Sequence, residues 1–388
     1  MQSVTFYPVG NGDTSLIETK SGKLILMDFY QRPSPIDPTK PEFDVAAALR
    51  AKLAAADRNY LDVVAFTHAD LDHINGSTDF FHLVHAKKYQ GDGRIFIKDL
   101  WVPAAMLLEI EDDNAGSEEL MVWGREARHR LKNKTGIKVF SHPDELTDLI
   151  THLELTIAEV AEFIIDAGTV LNTFTLQHDE VEFFVHSPLM QRCDKSGADI
   201  KRVKNSTALV FNVRFNAEGQ IYDYLAIGDA TASVLDDIVT ITQLKNRPDR
   251  LQWDLLNIPH HCSYLALADI GCKSTHTTEP TAKVKELLNM GKKGSYMICS
   301  SEAFNSGKTA EAAIHPAHIQ ARRTYEAYLT AVEGRQFIVT GENGDTNRPA
   351  PVVVQIQKSG LSVKAVSETA SVAVMTAAST PRNHYSSG

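Results

Sequence analysis

The 388-residue chain holds only four cysteines, Cys193, Cys262, Cys272 and Cys299, and no two of them make a Cys-x-x-Cys pair. That spacing excludes a zinc knuckle, and so few thiols in so long a chain exclude a disulfide framework. Reduced thiols are expected, with Cys299 in an apolar run as core filler. Nowhere does an apolar run reach the roughly 18 residues that a membrane helix needs. The opening Met1-Gln2-Ser3-Val4-Thr5-Phe6 lacks the basic, apolar, small-residue order of a signal peptide. A soluble cytoplasmic protein with no membrane contact is the expectation. Positive charge is also short: 39 Lys and Arg against 49 Asp and Glu leave a net charge of -10. Such a surface repels nucleic acid and anionic membrane, so a phosphate-bearing substrate would have to be held by a metal ion or a local basic patch.

What is present is enough apolar material, 43% of the chain, for one large α/β core or two modest ones, given that single cores stop growing at about 250 to 300 residues. Val4 to Val9 alternates and runs into the turn Gly10-Asn11-Gly12-Asp13, followed by strand-like runs at Ser15 to Glu18 and Lys23 to Phe29. Prolines from Pro33 to Pro41 impose a loop. Phe43, Val45, Ala46, Leu49 and Leu53 recur at helical spacing, and the buried-looking strand Asp62 to Phe66 follows. Further on, Asp79 to Val84 and Glu118 to Lys132 read as helices and Arg94 to Val102 as a strand. The stretch from 110 to 167 carries little pattern and is a candidate lid. Strand-like runs continue at Val170 to Leu176, Val181 to Val185, Thr207 to Phe215 and Tyr222 to Ile227. The last third reads as helix Thr281 to Met290, strand Ser295 to Cys299, helix Ala317 to Ala331, strand Gln336 to Thr340 and a final turn and strand to Gln357. Ser, Ala and Thr dominate from Ser367 to Gly388, where a disordered tail is expected.

Several strands end at a polar residue: Val185 before His186, Ile227 before Gly228-Asp229, Ile258 before Pro259-His260-His261. The densest case is Thr67-His68-Ala69-Asp70-Leu71-Asp72-His73, four potential ligands straight after an apolar strand. Imidazole and carboxylate suit zinc, manganese or iron. His68 and Asp70 can meet one ion while Asp72 and His73 meet a neighbour, and two ions about 3.5 to 4 Å apart would bridge a hydroxide and polarise the bond being cut. The competing reading is a solvated loop with a helix cap at Asp72.

The string HxDxDH resembles the HxHxDH signature of metallo-β-lactamase-fold hydrolases, with Asp70 in place of the second histidine. The same change is typical of the hydrolase domain of ComEC-type competence proteins, whose other motifs are matched in order by Val9-Gly10-Asn11-Gly12-Asp13, Gly228-Asp229, Pro259-His260-His261-Cys262-Ser263, and Asn305 with His315-Pro316. The resemblance implies an α/β fold, a metallo-β-lactamase-like αββα sandwich of two mixed β-sheets with outer helices. It would fill residues 1–360 with one hydrolase domain, of which about 85–180 is a variable insert region. It further implies two divalent ions, zinc or manganese, with Asp229 as the bridging carboxylate and one of His260 and His261 as the last histidine ligand. His186 falls at the family's middle histidine and reads equally as a core histidine; Asp28 falls at a supporting carboxylate behind the metal loop. Catalytic roles then fall on Asp72, His73 and Asp229. Asn205 and Ser206 resemble the family's substrate-side pair, and His315 could be a substrate-side acid or a helix-start residue. Lys195, Lys201, Arg202 and Lys204 form the one basic cluster beside the site, and Cys262 stands where the family string has glycine.

The activity so implied is a metal-dependent phosphodiesterase or nuclease, acting alone or with a protein partner encoded at the same locus. The alternatives are a hydrolase of a small non-phosphate ester, lactone or amide, and a non-catalytic regulatory module.

Overall fold

The structure, a computed structural model, describes residues 2–31, 42–108, 117–189, 205–268, 276–305, 311 and 313–364. Two mixed sheets carry the chain. The first contains β1 (Gln2–Phe6), β2 (Ser15–Glu18), β3 (Leu24–Met27), β4 (Tyr60–Ala65), β5 (Phe96–Pro103), β6 (Ile137–Phe140) and β7 (Ile164–Ile165). The second contains β8 (Val181–Ser187), β9 (Val210–Ala217), β10 (Gln220–Ala226), β11 (Trp253–Asn257), β12 (Gly291–Cys299) and β13 (Gln336–Val339). After a two-residue ribbon, β14 (Gly344–Asp345) and β15 (Arg348–Pro349), the chain returns to the first sheet as β16 (Val352–Gln357) and β17 (Gly360–Val363). The orders are β17-β16-β1-β2-β3-β4-β5-β6-β7 and β13-β12-β11-β10-β9-β8. From β3 to β7 and from β10 to β13 neighbouring strands run parallel, and the remaining pairs are antiparallel.

Alternation along single strands explains the layering. In β4, Val63 and Ala65 face the apolar cluster between the sheets, while Val64 between them faces a second cluster under helices. A strand covered on both faces reads as a continuous apolar run, as Val63 to Phe66 does at the end of β4. In β12, Tyr296 and Ile298 face the inter-sheet core, while Met297 and Cys299 face a third cluster. The helix α1 (Val45–Ala55) covers the first sheet through Val45, Leu49 and Leu53, and Asp44 caps it by accepting from the Ala47 N–H at 2.8 Å. Helix Glu118–Lys132 joins the same layer with Leu120, Trp123, Ala127 and Leu131. Helices Ala232–Leu244, Ala282–Leu288 and Ile319–Ala331 cover the second sheet. The order of layers is α, β, β, α, the expected sandwich. Among the described residues, no helix is long and apolar enough to cross a membrane.

Three expectations are corrected. Asp79 to Val84 is not a helix: only Ser77–Phe80 is helical, and Phe81 leaves it to bridge Ile95. Phe80 stacks on Phe29 at 4.9 Å while Phe81 meets Trp123 edge-on at 5.9 Å, and adjacent residues that must both be buried do not share one helix face. Val170 to Leu176 is a loop with a single bridge at Val170, because its buried residues Leu171 and Phe174 are three apart, a spacing no strand face provides. The stretch from 110 to 167, where described, is no lid: it supplies β6, β7 and helices Glu118–Lys132 and Asp144–His152, which belong to the first sheet and its helix layer. Helix Ala232–Leu244, which the sequence pattern did not signal, starts three residues after Asp229. The expected tail from 367 onward lies outside the described residues.

Candidate metal centre

Parallel strands in both sheets end on the same edge of the sandwich, and polar residues follow each end. Asp28 follows β3, the His68 to His73 loop follows β4, Asp229 follows β10, His260 and His261 follow β11, and Ser300 follows β12. The loop after β1 brings Asp13 to the same place, because Gly12 lets it in: a Cβ there would lie 2.3 Å from Tyr30 Cδ1 and 2.8 Å from the Asp72 carbonyl. The Asp13 N–H then donates to that carbonyl at 3.1 Å. Asn11 ties further loops down, donating from Nδ2 to the Pro316 carbonyl at 2.7 Å and accepting from the Glu302 N–H at 3.1 Å. The Gly10 to Asp13 turn is therefore a packing joint between loops.

Asp28 orders the histidine loop from behind. Its Oδ1 accepts from the Thr67 N–H at 2.7 Å, and its Oδ2 accepts from the Thr67 hydroxyl at 2.6 Å and lies 2.8 Å from His73 Nδ1. With Nδ1–H held there, His73 turns Nε2 forward, 3.4 Å from Asp229 Oδ1. His261 is set the same way, its Nδ1–H donating to the Ser300 carbonyl at 2.9 Å. Its Nε2 lies 3.7 Å from Asp229 Oδ2 and 3.5 Å from Asp72 Oδ2. His68 Nε2 stands 3.8 Å from Asp229 Oδ2 and 3.6 Å from Asp70 Oδ2, and His260 Nε2 stands 3.8 Å from Asp229 Oδ2. Both histidines of the pair therefore face Asp229.

The backbone that presents them is left-handed at three successive non-glycine residues, His260, His261 and Cys262, with φ of 49°, 51° and 65°. Cys262 adopts the conformation that the resemblance assigns to glycine, and total burial holds it there.

These separations suit a shared cation better than direct hydrogen bonds. Donors bound at about 2.1 Å in a tetrahedron lie about 3.4 Å apart. His68 Nε2, His73 Nε2, His261 Nε2 and Asp229 Oδ1 are buried with no hydrogen-bond partner, and buried polar atoms without partners are costly unless something satisfies them. One donor atom each from Asp13, His73, Asp229 and His261 falls within 4.8 Å of all the others. Nitrogen and carboxylate oxygen in this proportion fit zinc, manganese or iron.

Electrostatics in the cluster point the same way. Burial works to lower the His261 imidazole, yet Asp229, Asp72 and Asp13 hold it up to about 10. Burial likewise opposes charge on His73, and Asp229 and Asp28 override it, raising it well above the ordinary value. Burial would raise Asp229, but His261, His73 and His260 keep it well below the usual carboxylate range; Asp72, against burial, is drawn to about 2 by His261 and His73. His68 is lowered by burial and by the neighbouring His73. Without an ion, protons on His73 and His261 balance the carboxylates, and a divalent cation would replace them.

His186 does not join this group. Its Nε2 lies 3.0 Å from the Arg250 carbonyl and its Nδ1 3.3 Å from the Thr242 hydroxyl, so both ring nitrogens are engaged, and the ring sits against Phe184 at 4.9 Å. Of its two readings the core histidine holds, because β8 is the outer strand of its sheet and directs the ring toward helix Ala232–Leu244. Asn205 and Ser206 lie just ahead of β9, whose approach is fixed to the histidine loop by the Leu209 N–H donating to the Thr67 carbonyl at 2.8 Å. Asn205 Oδ1 is buried without a partner. His315 is exposed beside the buried His318, on which its charge acts. Asn305 is exposed, and Lys195, Lys201, Arg202 and Lys204 fall outside the described residues.

Sequence reasoning passed over two groups. Asp13 was legible only as a turn residue; the signal was an acid closing a Gly-x-Gly joint at the end of an apolar strand. His318 is buried, its Nδ1 accepting from the Tyr264 N–H at 3.4 Å and its Nε2 without a partner. Burial lowers it, and His260 and His315 push it the same way. The His-Pro-Ala-His spacing was its signal.

No protein-family model matches the chain, and no curated protein matches it. Among solved structures it aligns with unliganded yeast PDE1 at 9% identity over 87% of this chain and 98% of that one, with a TM-score of 0.43. It also aligns with Zn(2+)-bound PqqB from Methylobacterium extorquens at 12% identity over 87% and 86%, TM-score 0.36. A third is the metallo-β-lactamase GOB-18 from Elizabethkingia meningoseptica, at 11% identity over 85% and 89%, TM-score 0.31.

Proposed function

We propose that this chain is a metal-dependent hydrolase of the metallo-β-lactamase type, of the ComEC-like variety, and that it cleaves phosphodiesters. The observation that carries the reading is Asp229: a buried carboxylate with His73 facing one oxygen and His68, His260 and His261 facing the other. In this reading two cations would share Asp229, one held by His68, Asp70 and His260 and the other by His73 and His261 with Asp72 beside them. Bound divalent ions, manganese or zinc, would supply an activated water and offset charge on the attacking and leaving oxygens. Asp28 and the Ser300 carbonyl keep His73 and His261 in the tautomer that turns Nε2 toward the cluster. Asp70, Asp72 and His260, the solvent-facing members, line the mouth through which substrate would enter. Asn205 and Ser206 would hydrogen-bond substrate oxygens.

The carboxylate-rich donor set favours hard cations and, with them, phosphate oxygens. The net charge of -10 favours instead an uncharged ester or lactone. In this reading the enzyme works in the cytoplasm on an anionic phosphodiester, with a partner encoded nearby. The test is cleavage of DNA, RNA, cyclic nucleotides and a generic ester with and without added manganese. Manganese-dependent phosphodiester cleavage, reduced at least about 10³-fold in Asp229→Ala, is the expected result; ester cleavage alone, with the phosphodiesters intact, sinks the phosphodiester reading.

A further inference from the structure

The donors around Asp229 divide unequally. Asp13, His73, Asp229 and His261 are all buried, and their ligand atoms converge within 4.8 Å. On the other side only His68 is buried, and Asp70 and His260 keep 35% and 21% of their side chains exposed. The middle histidine that the sequence offered, His186, is spent on Arg250 and Thr242. The cluster thus has one carboxylate more, and one histidine fewer, than the motifs predicted.

Asp13 is held as a ligand would need to be. Its N–H is fixed to the Asp72 carbonyl, its own carbonyl accepts from the Thr14 hydroxyl at 2.7 Å, and that hydroxyl accepts from the Tyr30 N–H at 2.8 Å. A buried carboxylate beside a second carboxylate is retained at a cost unless a cation sits between them.

We propose that Asp13 is a metal ligand, closing the buried half of the site with His73, His261 and Asp229, so that this half holds its ion tightly while the half at His68, Asp70 and His260 holds an exchangeable one. Four protein donors make a closed site of the kind that retains metal, whereas the half with solvent-facing donors leaves room for water and substrate. This rests on the metal-centre reading above but not on the identity of the substrate.

The experiment is metal retention. Protein loaded with manganese or zinc is dialysed against a competing chelator of moderate strength, and ions per chain are counted by elemental analysis. Wild type is expected to keep close to one ion per chain. Asp13→Ala and the isosteric Asp13→Asn should keep almost none, with affinity weakened at least about 100-fold, the upper end of the cost of losing a partner that merely supports a ligand. Asp70→Asn should still keep the tight ion. Far-UV circular dichroism of the metal-free variants guards against misfolding, and Asp13→Asn, which relieves repulsion with Asp229, should match wild type. Retention by both Asp13 variants equal to wild type overturns the proposal, as does wild type that keeps no ion. A loaded wild type that cleaves no phosphodiester removes only the substrate reading.

Discussion

His186 and Asp13 exchange the roles that their positions in the sequence assign. A histidine at the end of an apolar strand reads as a ligand because strand ends build sites, but which way its ring turns depends on the neighbouring strand and helix, here Arg250 and Thr242. Burial lowers His186 to about 4 from an ordinary value of 6.5, against the pull of the Arg250 carbonyl. A histidine depressed on folding binds its proton more readily in the unfolded chain. Its contribution is therefore complete above about pH 6.5 and is lost as pH falls toward 4, by up to about 3 kcal/mol. The urea midpoint of wild type should drop further between pH 7 and pH 4.5 than that of His186→Gln, and metal content should be the same in both. Loss of metal in His186→Gln would return the ring to the ligand set. The His68 to His73 cluster was legible because a merely solvated loop has no need of four metal donors in six positions. Asp13 was not, since its placement depends on the close fit of Gly12 against the Tyr30 ring and on the Asp72 carbonyl, both remote in sequence.

Among the elements, helix Glu118–Lys132 was readable to its limits: Ser117 caps it, acids open it and bases close it. Its tertiary role was not readable. Glu126 Oε2 accepts from the His85 N–H at 3.0 Å and lies 2.9 Å from His85 Nδ1, and Oε1 accepts from Arg130 at 2.7 Å. Arg130 in turn donates to the carbonyls of Ile97 and Gly136, joining helix to β5 and to the turn before β6. Despite burial, which would raise it, Glu126 is drawn down to about 2 by His85 and Arg130. A carboxylate lowered on folding contributes fully above its unfolded value of 4.5 and loses that contribution as pH falls toward 2. Replacing Glu126 with alanine strands Arg130 in the interior and should cost about 3 to 5 kcal/mol. Denaturant unfolding at pH 7 measures this, and the gap from wild type should close below about pH 3. Short elements such as Ser77–Phe80 were misjudged because the bridge from Phe81 to Ile95, a partner outside the local window, outweighs local helical spacing.

At the scale of the molecule, the sandwich could be inferred from strands that end in polar residues in both halves of the chain, but not the strand orders, which pairing across long separations decides. That β16 returns to pair with β1 has no local signal at all.

The donors come from both sheets: Asp13, His68 and His73 from the first, Asp229, His260 and His261 from the second. No fragment containing one sheet holds the cluster, so the cation has nothing to grip until the sheets have docked. The ion would then act as a latch fastened after assembly, not as a template around which the chain condenses. Added manganese or zinc should leave the refolding rate within about twofold while slowing unfolding by at least about tenfold, the signature of an interaction absent from the transition state. Stopped-flow chevrons with and without metal distinguish this from early capture, in which refolding itself would accelerate. Durability of the folded protein would then follow metal supply, and the rate of reaching the fold would not.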